Sequence, residues 1–143
     1  MSPAYDPNNI FAKILRGEAP CTRVYEDDCA LAFMDIMPRA DGHVLVIPKF
    51  PARNILDVPP GELVRFMPAV QRIAIAAKAA MAAEGLSIMQ FNESAGGQVV
   101  FHLHFHILPR WAGVELRPAG GPIEKSGVLA ANAAKIAAAL NGA

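Results

Sequence analysis

Cysteine is scarce in this 143-residue chain, and neither sign of charge prevails. The two cysteines, Cys21 and Cys29, form no Cys-x-x-Cys pair. That excludes a disulfide framework and a zinc finger, and it fits a reducing, cytoplasmic compartment. Lys plus Arg number 13 and Asp plus Glu 13, so no global positive field exists to attract a nucleic-acid backbone, and a dedicated nucleic-acid binder is not expected. No apolar run reaches the roughly 18 residues of a membrane span. The first nine residues are polar, with Pro3 and Pro7 and no basic patch ahead of an apolar stretch, so no secretory signal is expected.

What the chain does have is apolar surface. Hydrophobic residues make up 53% and charged residues 18%, with mean hydropathy +0.28. At this length one core is expected, disorder is excluded as the main state, and enough apolar surface remains to bury a face in a partner.

Ile10, Phe11, Ile14 and Leu15 form one helical stripe, with Asn8 or Asn9 as N-cap and Gly17 as stop. Residues 22–25 and 29–33 flank the polar turn Glu26-Asp27-Asp28 and predict a hairpin, followed by a buried strand over 43–48. Leu63, Phe66, Val70, Ile73 and Ala77 repeat at helical spacing, predicting a long helix over 61–83 closed by Gly85. Pro68 lies inside it and is expected to bend or split it. Strands are expected over 86–91 and over 99–108, the latter stopped by Pro109, with a Gly-containing loop over 92–97 between them. An Ala-rich helix over 126–140 ends the chain, and no internal repeat is evident.

Three of the four histidines alternate along one predicted strand: His102, His104 and His106. Successive strand side chains point to opposite faces, so the imidazoles share one face and Leu103, Phe105 and Ile107 the other. Groups that titrate near neutrality are rarely clustered without use. Two chemistries are open. Imidazoles at i and i+2 stand about 6.6 Å apart and can chelate one ion, but i to i+4 spans about 13 Å, so a metal needs ligands from elsewhere. No carboxylate adjoins the strand in sequence to complete a mixed nitrogen and oxygen set. A nucleophilic imidazole instead needs a neutral ring with one free nitrogen and neighbours that orient it. The loop Asn92-Glu93-Ser94-Ala95-Gly96-Gly97-Gln98 adds glycine amides and side-chain donors that suit a phosphate.

The segment from Gly97 to Arg110, with His102-Leu103-His104-Phe105-His106-Ile107-Leu108 at its centre, resembles the signature of the histidine triad family. The blocks starting at Ile10, Tyr25, Phe33 and Gly42 resemble further family blocks in order. The resemblance implies one α+β domain over 1–143, with a core over 9–110 and a C-terminal extension over 111–143. Its fold would be a five-stranded antiparallel sheet with a long helix, a short N-terminal helix and a C-terminal helix, commonly as a homodimer. The implied activity is cleavage at the α-phosphorus of a purine nucleoside phosphoramidate or dinucleoside polyphosphate, through a nucleotidyl-histidine and without a cofactor. His104 resembles the nucleophile, His106 the phosphate partner, and His102 and His43 the orienting histidines. Asp35 resembles the ribose ligand, and Ile10, Phe11, Ile14, Phe33 and Ile36 the base pocket. Asn92, Gly97, Gln98 and Val99 stand on the phosphate side. A non-catalytic nucleotide-binding or interaction module, or a His-ligated metal site, is the alternative.

Three departures qualify the resemblance. Some members hold structural zinc through Cys-x-x-Cys in the first helix and a histidine after Pro-Lys, places taken here by Asn9, Ala12 and Phe50, so no metal is expected. Many carry a hydroxyl residue directly after the glutamine, where this chain has Val99. The loop ahead of the histidines is also shorter than in the phosphoramidase branch, which favours the dinucleoside-polyphosphate branch. Trp111 is expected to border the site.

Overall fold

A computed structural model describes residues 3–141; Met1, Ser2, Gly142 and Ala143, included in the expected 1–143 domain, lie outside the described residues. Helix α1 (Ile10–Leu15) is capped by Asn9, whose side-chain oxygen accepts from the Ala12 amide at 2.8 Å, and Gly17 follows it at φ +78°. Strands β1 (Arg23–Glu26) and β2 (Ala30–Met34) form the expected hairpin, one residue later than predicted. Its turn is held by Asp27, whose carboxylate accepts from the Cys29 and Ala30 amides at 2.7 and 2.8 Å. Strand β3 (Val44–Pro48) follows.

Helix α2 (Pro60–Ala80) is continuous, so Pro68 does not split it as predicted. Val64 and Pro68 both lie on its exposed side, where water can satisfy the Val64 carbonyl that Pro68 deprives of a donor. The chain reverses through Ala82, at φ +49°, and Gly85 opens β4 (Gly85–Met89) instead of closing the helix. After a 3-10 turn over Ser94–Gly96 come β5 (Phe105–Arg110) and α3 (Ser126–Asn141).

The predicted strand over 99–108 is corrected most: β5 begins only at Phe105, and residues 99–104 are a non-strand lead-in. The segment from Pro48 to Ala52 holds that lead-in, the Leu103 amide donating to the Ala52 carbonyl at 2.8 Å and His102 bonding the Pro48 carbonyl at 2.8 Å. Pro109 lies within β5 rather than ending it. The β3 ladder stops at Val44, opposite Ile107, so Pro109 pairs only with Leu86 of β4.

The five strands run in the order β1-β2-β3-β5-β4 with every neighbouring pair antiparallel, the α+β architecture expected. Alternation sorts the side chains. Ala32, Val44, Val46, Leu103, Phe105 and Ile107 pack with α2 and α3, whereas Leu31, Phe33, Leu45 and Ile47 pack with Phe11 of α1 on the opposite face. His106 lies opposite Leu45 and so shares the α1 face. Among the described residues no helix is long and apolar enough to cross a membrane.

Gly42 joins the two layers at the site's edge, since it precedes His43 and packs on the end of α2. At φ +80°, a Cβ there would stand 2.7 Å from Met81 Cγ. Gly42→Ala is expected to cost about 1–3 kcal/mol, read as a lower midpoint in urea unfolding; an unchanged midpoint contradicts the close approach.

Candidate active site

The four histidines are ordered by backbone groups whose polarity cannot change. The Arg39 amide donates to His43 Nδ1 at 3.1 Å, so that nitrogen is bare and Nε2 bears the proton. His43 Nε2 lies 2.9 Å from His106 Nδ1 and 3.5 Å from an Asp35 oxygen. The His106 Nδ1 therefore accepts, and its own proton sits on Nε2. His104 Nδ1 donates to the His102 carbonyl at 2.6 Å, which leaves His104 Nε2 with a free lone pair. His102 Nε2 donates to the Pro48 carbonyl. The His104 and His106 ring centroids are 5.1 Å apart, so a bare nitrogen and a ring N–H donor stand side by side. His104 and His106 thus meet on the α1 face of the sheet. The His102 ring lies in the contact between the lead-in and Pro48.

Burial biases every one of these rings toward its neutral form. Burial first, then the neighbouring His106 ring and the positive charges of Arg39 and Arg117, push His43 down to about 3. Burial likewise lowers His102 and His106 to about 4 each, and it lowers His104 against the opposing bond to the His102 carbonyl. Asp35 moves the other way, raised by burial and only partly restrained by the Met37 amide on its carboxylate.

The predicted base pocket divides. Phe11 and Phe33 are buried and meet edge-on at 5.4 Å, with Phe11 also edge-on to His104 at 4.9 Å. Ile14 packs beside them half-buried, while Ile10 and Ile36 are 46% and 48% exposed. Two walls are thus fixed core residues and two are open apolar side chains.

On the side predicted to face phosphate, a clamp that no sequence pattern announced shapes the loop. Arg53 forms a two-pronged pair with Glu93 at 2.8 and 3.0 Å, and buried Asn54 donates to both Glu93 and Gln98. Gln98 spends its amide inside the loop: its oxygen accepts from Asn54 and the Glu93 amide, and its nitrogen donates to the Arg53 and Val100 carbonyls. Asn92 is bonded to the Ile55 amide and to Gln90. These two side chains brace the loop. Glu93 itself is held at φ +65°, and Gly97 at φ +99° lies where a Cβ would reach 3.4 Å from the Phe91 ring. Val99 is 83% exposed beside them. No local motif marks Arg53 or Asn54, some forty residues from their partners.

The structure also brings a carboxylate to the histidines from outside their strand: donor atoms of Asp35, His43 and His106 lie within 4.8 Å of one another. The His43–His106 bond already joins two of them. At the places compared with structural zinc ligands, Asn9 spends its oxygen on the α1 cap, Ala12 has no donor, and Phe50 packs against the core. They do not fit that metal. Trp111 bonds the Ala82 carbonyl and lines a separate cavity of about 330 Å³ with Arg39, Arg110 and Arg117, which no triad histidine lines.

Because folding lowers these histidines, the folded state binds fewer protons than the unfolded chain below pH about 6.5. Stability is full above that pH and falls as acid protonates the unfolded state, until the folded values of about 3 to 4 are passed. Unfolding free energy is therefore expected to drop between pH about 6.5 and about 5, each histidine adding up to about 1.4 kcal/mol per pH unit. Denaturant titrations showing no change across that window contradict the neutral cluster.

The chain is similar to known proteins. The HIT domain family model matches residues 16–113. The chain is 38% identical over 114 residues to the adenylylsulfatase HINT3 of Arabidopsis thaliana, covering 76% of this chain but only 58% of that longer protein. The crystal structure of a HIT-like protein involved in cell-cycle regulation from Bartonella henselae, with an unknown ligand, superposes with a TM-score of 0.89 at 55% identity, covering 95% of this chain and 99% of that one. A zinc-bound histidine triad family protein from Mycobacterium smegmatis superposes at 0.80 and 33% identity, covering 94% of each chain. Strand order, histidine placement and these likenesses converge, and the chain belongs to the histidine triad (HIT) family.

Proposed function

We propose that the protein cleaves purine nucleoside phosphoramidates or dinucleoside polyphosphates at the α-phosphorus, with His104 as nucleophile. The observation that carries this reading is the bond from His104 Nδ1 to the His102 carbonyl, which makes Nε2 the free nitrogen. Attack by that lone pair forms the P–N bond as the leaving group departs, and the ring becomes cationic against a carbonyl already aimed at its other N–H. The His106 Nε2–H donates to a phosphoryl oxygen, backed through Nδ1 by His43. Water then displaces the imidazole from phosphorus and releases the nucleotide.

Phe11, Phe33, Ile14, Ile10 and Ile36 take the purine, and Asp35 takes the ribose hydroxyls. Gly97 and the loop braced by Asn92 and Gln98 approach the phosphate. Exposed Val99 supplies no hydroxyl to a leaving group, which favours leaving groups that depart without such help, such as phosphate anhydrides. The relative named as an adenylylsulfatase supports an adenylyl-bearing substrate.

A homodimer suits the surface. Val64, Met67 and Ile75 leave α2 exposed at 72%, 36% and 63%, and edge strand β4 presents Ile88 at 49%. Wild type is expected to sediment as a dimer and Ile88→Lys to shift it toward monomer; a monomeric wild type contradicts the pairing.

With adenosine 5′-phosphoramidate or a diadenosine polyphosphate, His104→Ala is expected to abolish turnover while AMP affinity stays within about tenfold. Retained hydrolysis excludes the covalent route. Failure of wild type to turn over either substrate favours the binding-module alternative.

A further inference from the structure

We propose that Tyr5, ahead of the first helix, is a positioning residue for His104: its hydroxyl fixes the ring of His102, whose carbonyl in turn orients the nucleophile. The inference rests on the nucleophilic reading of His104.

The Tyr5 hydroxyl lies 2.6 Å from His102 Nδ1, with the two rings edge-on at 5.6 Å. Because the Pro48 carbonyl can only accept, the proton of the neutral ring resides on Nε2 and Nδ1 is bare. Tyr5 is its donor. The phenol is kept protonated by burial, which raises it above its ordinary range. Its oxygen is in turn held by Asn9, whose amide nitrogen donates to it at 3.1 Å and to the Asp6 carbonyl at 2.8 Å. Asn9 thus divides its side chain, capping α1 through oxygen and steering Tyr5 through nitrogen. Arg16 ties the same arm down by donating to the Pro7 carbonyl at 2.8 Å.

The consequence is a chain of donors that runs one way, from Asn9 to Tyr5 to His102. His102 is fully buried and carries the carbonyl that accepts from His104 Nδ1. Remove the hydroxyl, and a buried ring nitrogen loses its partner. The ring can then tilt or exchange its proton between nitrogens, and the carbonyl attached to the same residue loses its fixed aim. A residue that merely supported the fold would not alter the His102 tautomer or favour kcat over KM.

The test compares wild type with Tyr5→Phe and Asn9→Ser. The serine keeps a cap oxygen but loses the donor to Tyr5. Long-range proton–nitrogen NMR reads the His102 ring, and single-turnover and steady-state kinetics with adenosine 5′-phosphoramidate read the nucleophile. In wild type, His102 Nδ1 is expected as an unprotonated acceptor and Nε2 as the protonated nitrogen. Tyr5→Phe should shift the Nδ1 resonance and lower kcat by about tenfold or more, with KM within about threefold. Asn9→Ser should move both readouts the same way by less. Unchanged His102 resonances with wild-type kcat overturn the inference, as does a loss confined to KM. Thermal melting identifies a Tyr5→Phe protein that fails to fold, in which case Asn9→Ser decides. If wild type itself forms no nucleotidyl-histidine, it is the proposed reaction that fails, and the His102 resonances still decide whether Tyr5 sets that ring.

Discussion

A backbone amide can only donate and a backbone carbonyl can only accept, and the site depends on that fixed polarity. Imidazole alone is ambiguous, since either nitrogen of a neutral ring can carry the proton. Here the Arg39 amide and the His102 and Pro48 carbonyls remove the ambiguity from three rings directly, and His43 passes it to the fourth, His106. Burial supplies the other half of the constraint by keeping the rings uncharged. A bare nitrogen beside an N–H donor is the arrangement a phosphoryl transfer needs, prepared before any substrate arrives.

The fold serves that arrangement through the two faces of its sheet. Phe105 and Ile107 lock β5 onto α2, so His106 between them must face α1. His104 comes just before the strand, where Leu103 remains anchored in the core and the backbone is free to turn its carbonyls toward side chains. A fully laddered strand would commit more of those carbonyls to neighbouring strands. The irregular lead-in therefore helps make the site, and the Arg53, Asn54 and Glu93 clamp sets its shape.

The sequence made some of this legible for physical reasons. The hairpin was carried by β-branched and aromatic runs around an acidic turn, the long helix by its apolar stripe, and His104 and His106 by their spacing. The lead-in over 99–104 was not legible, because alternation continues through it in sequence while its bonds go to Pro48 and Ala52. Pro68 misled for a related reason: its cost depends on whether water reaches the Val64 carbonyl, which only the folded surface decides. Asp35 meeting His43 and His106, and Tyr5 meeting His102, are long-range contacts that no local pattern announces. The family resemblance supplied Asp35; nothing supplied Tyr5.

Titrating the four histidines by NMR between about pH 8 and about pH 5 tests the tautomer and charge assignment most directly. His43, His102 and His106 are expected to stay neutral throughout, and His104 to titrate below its ordinary midpoint, with His104 protonated at Nδ1 and bare at Nε2 and with His43 and His106 protonated at Nε2. A His104 or His106 that gains charge near its ordinary midpoint, or a His104 with its proton on Nε2, would contradict it.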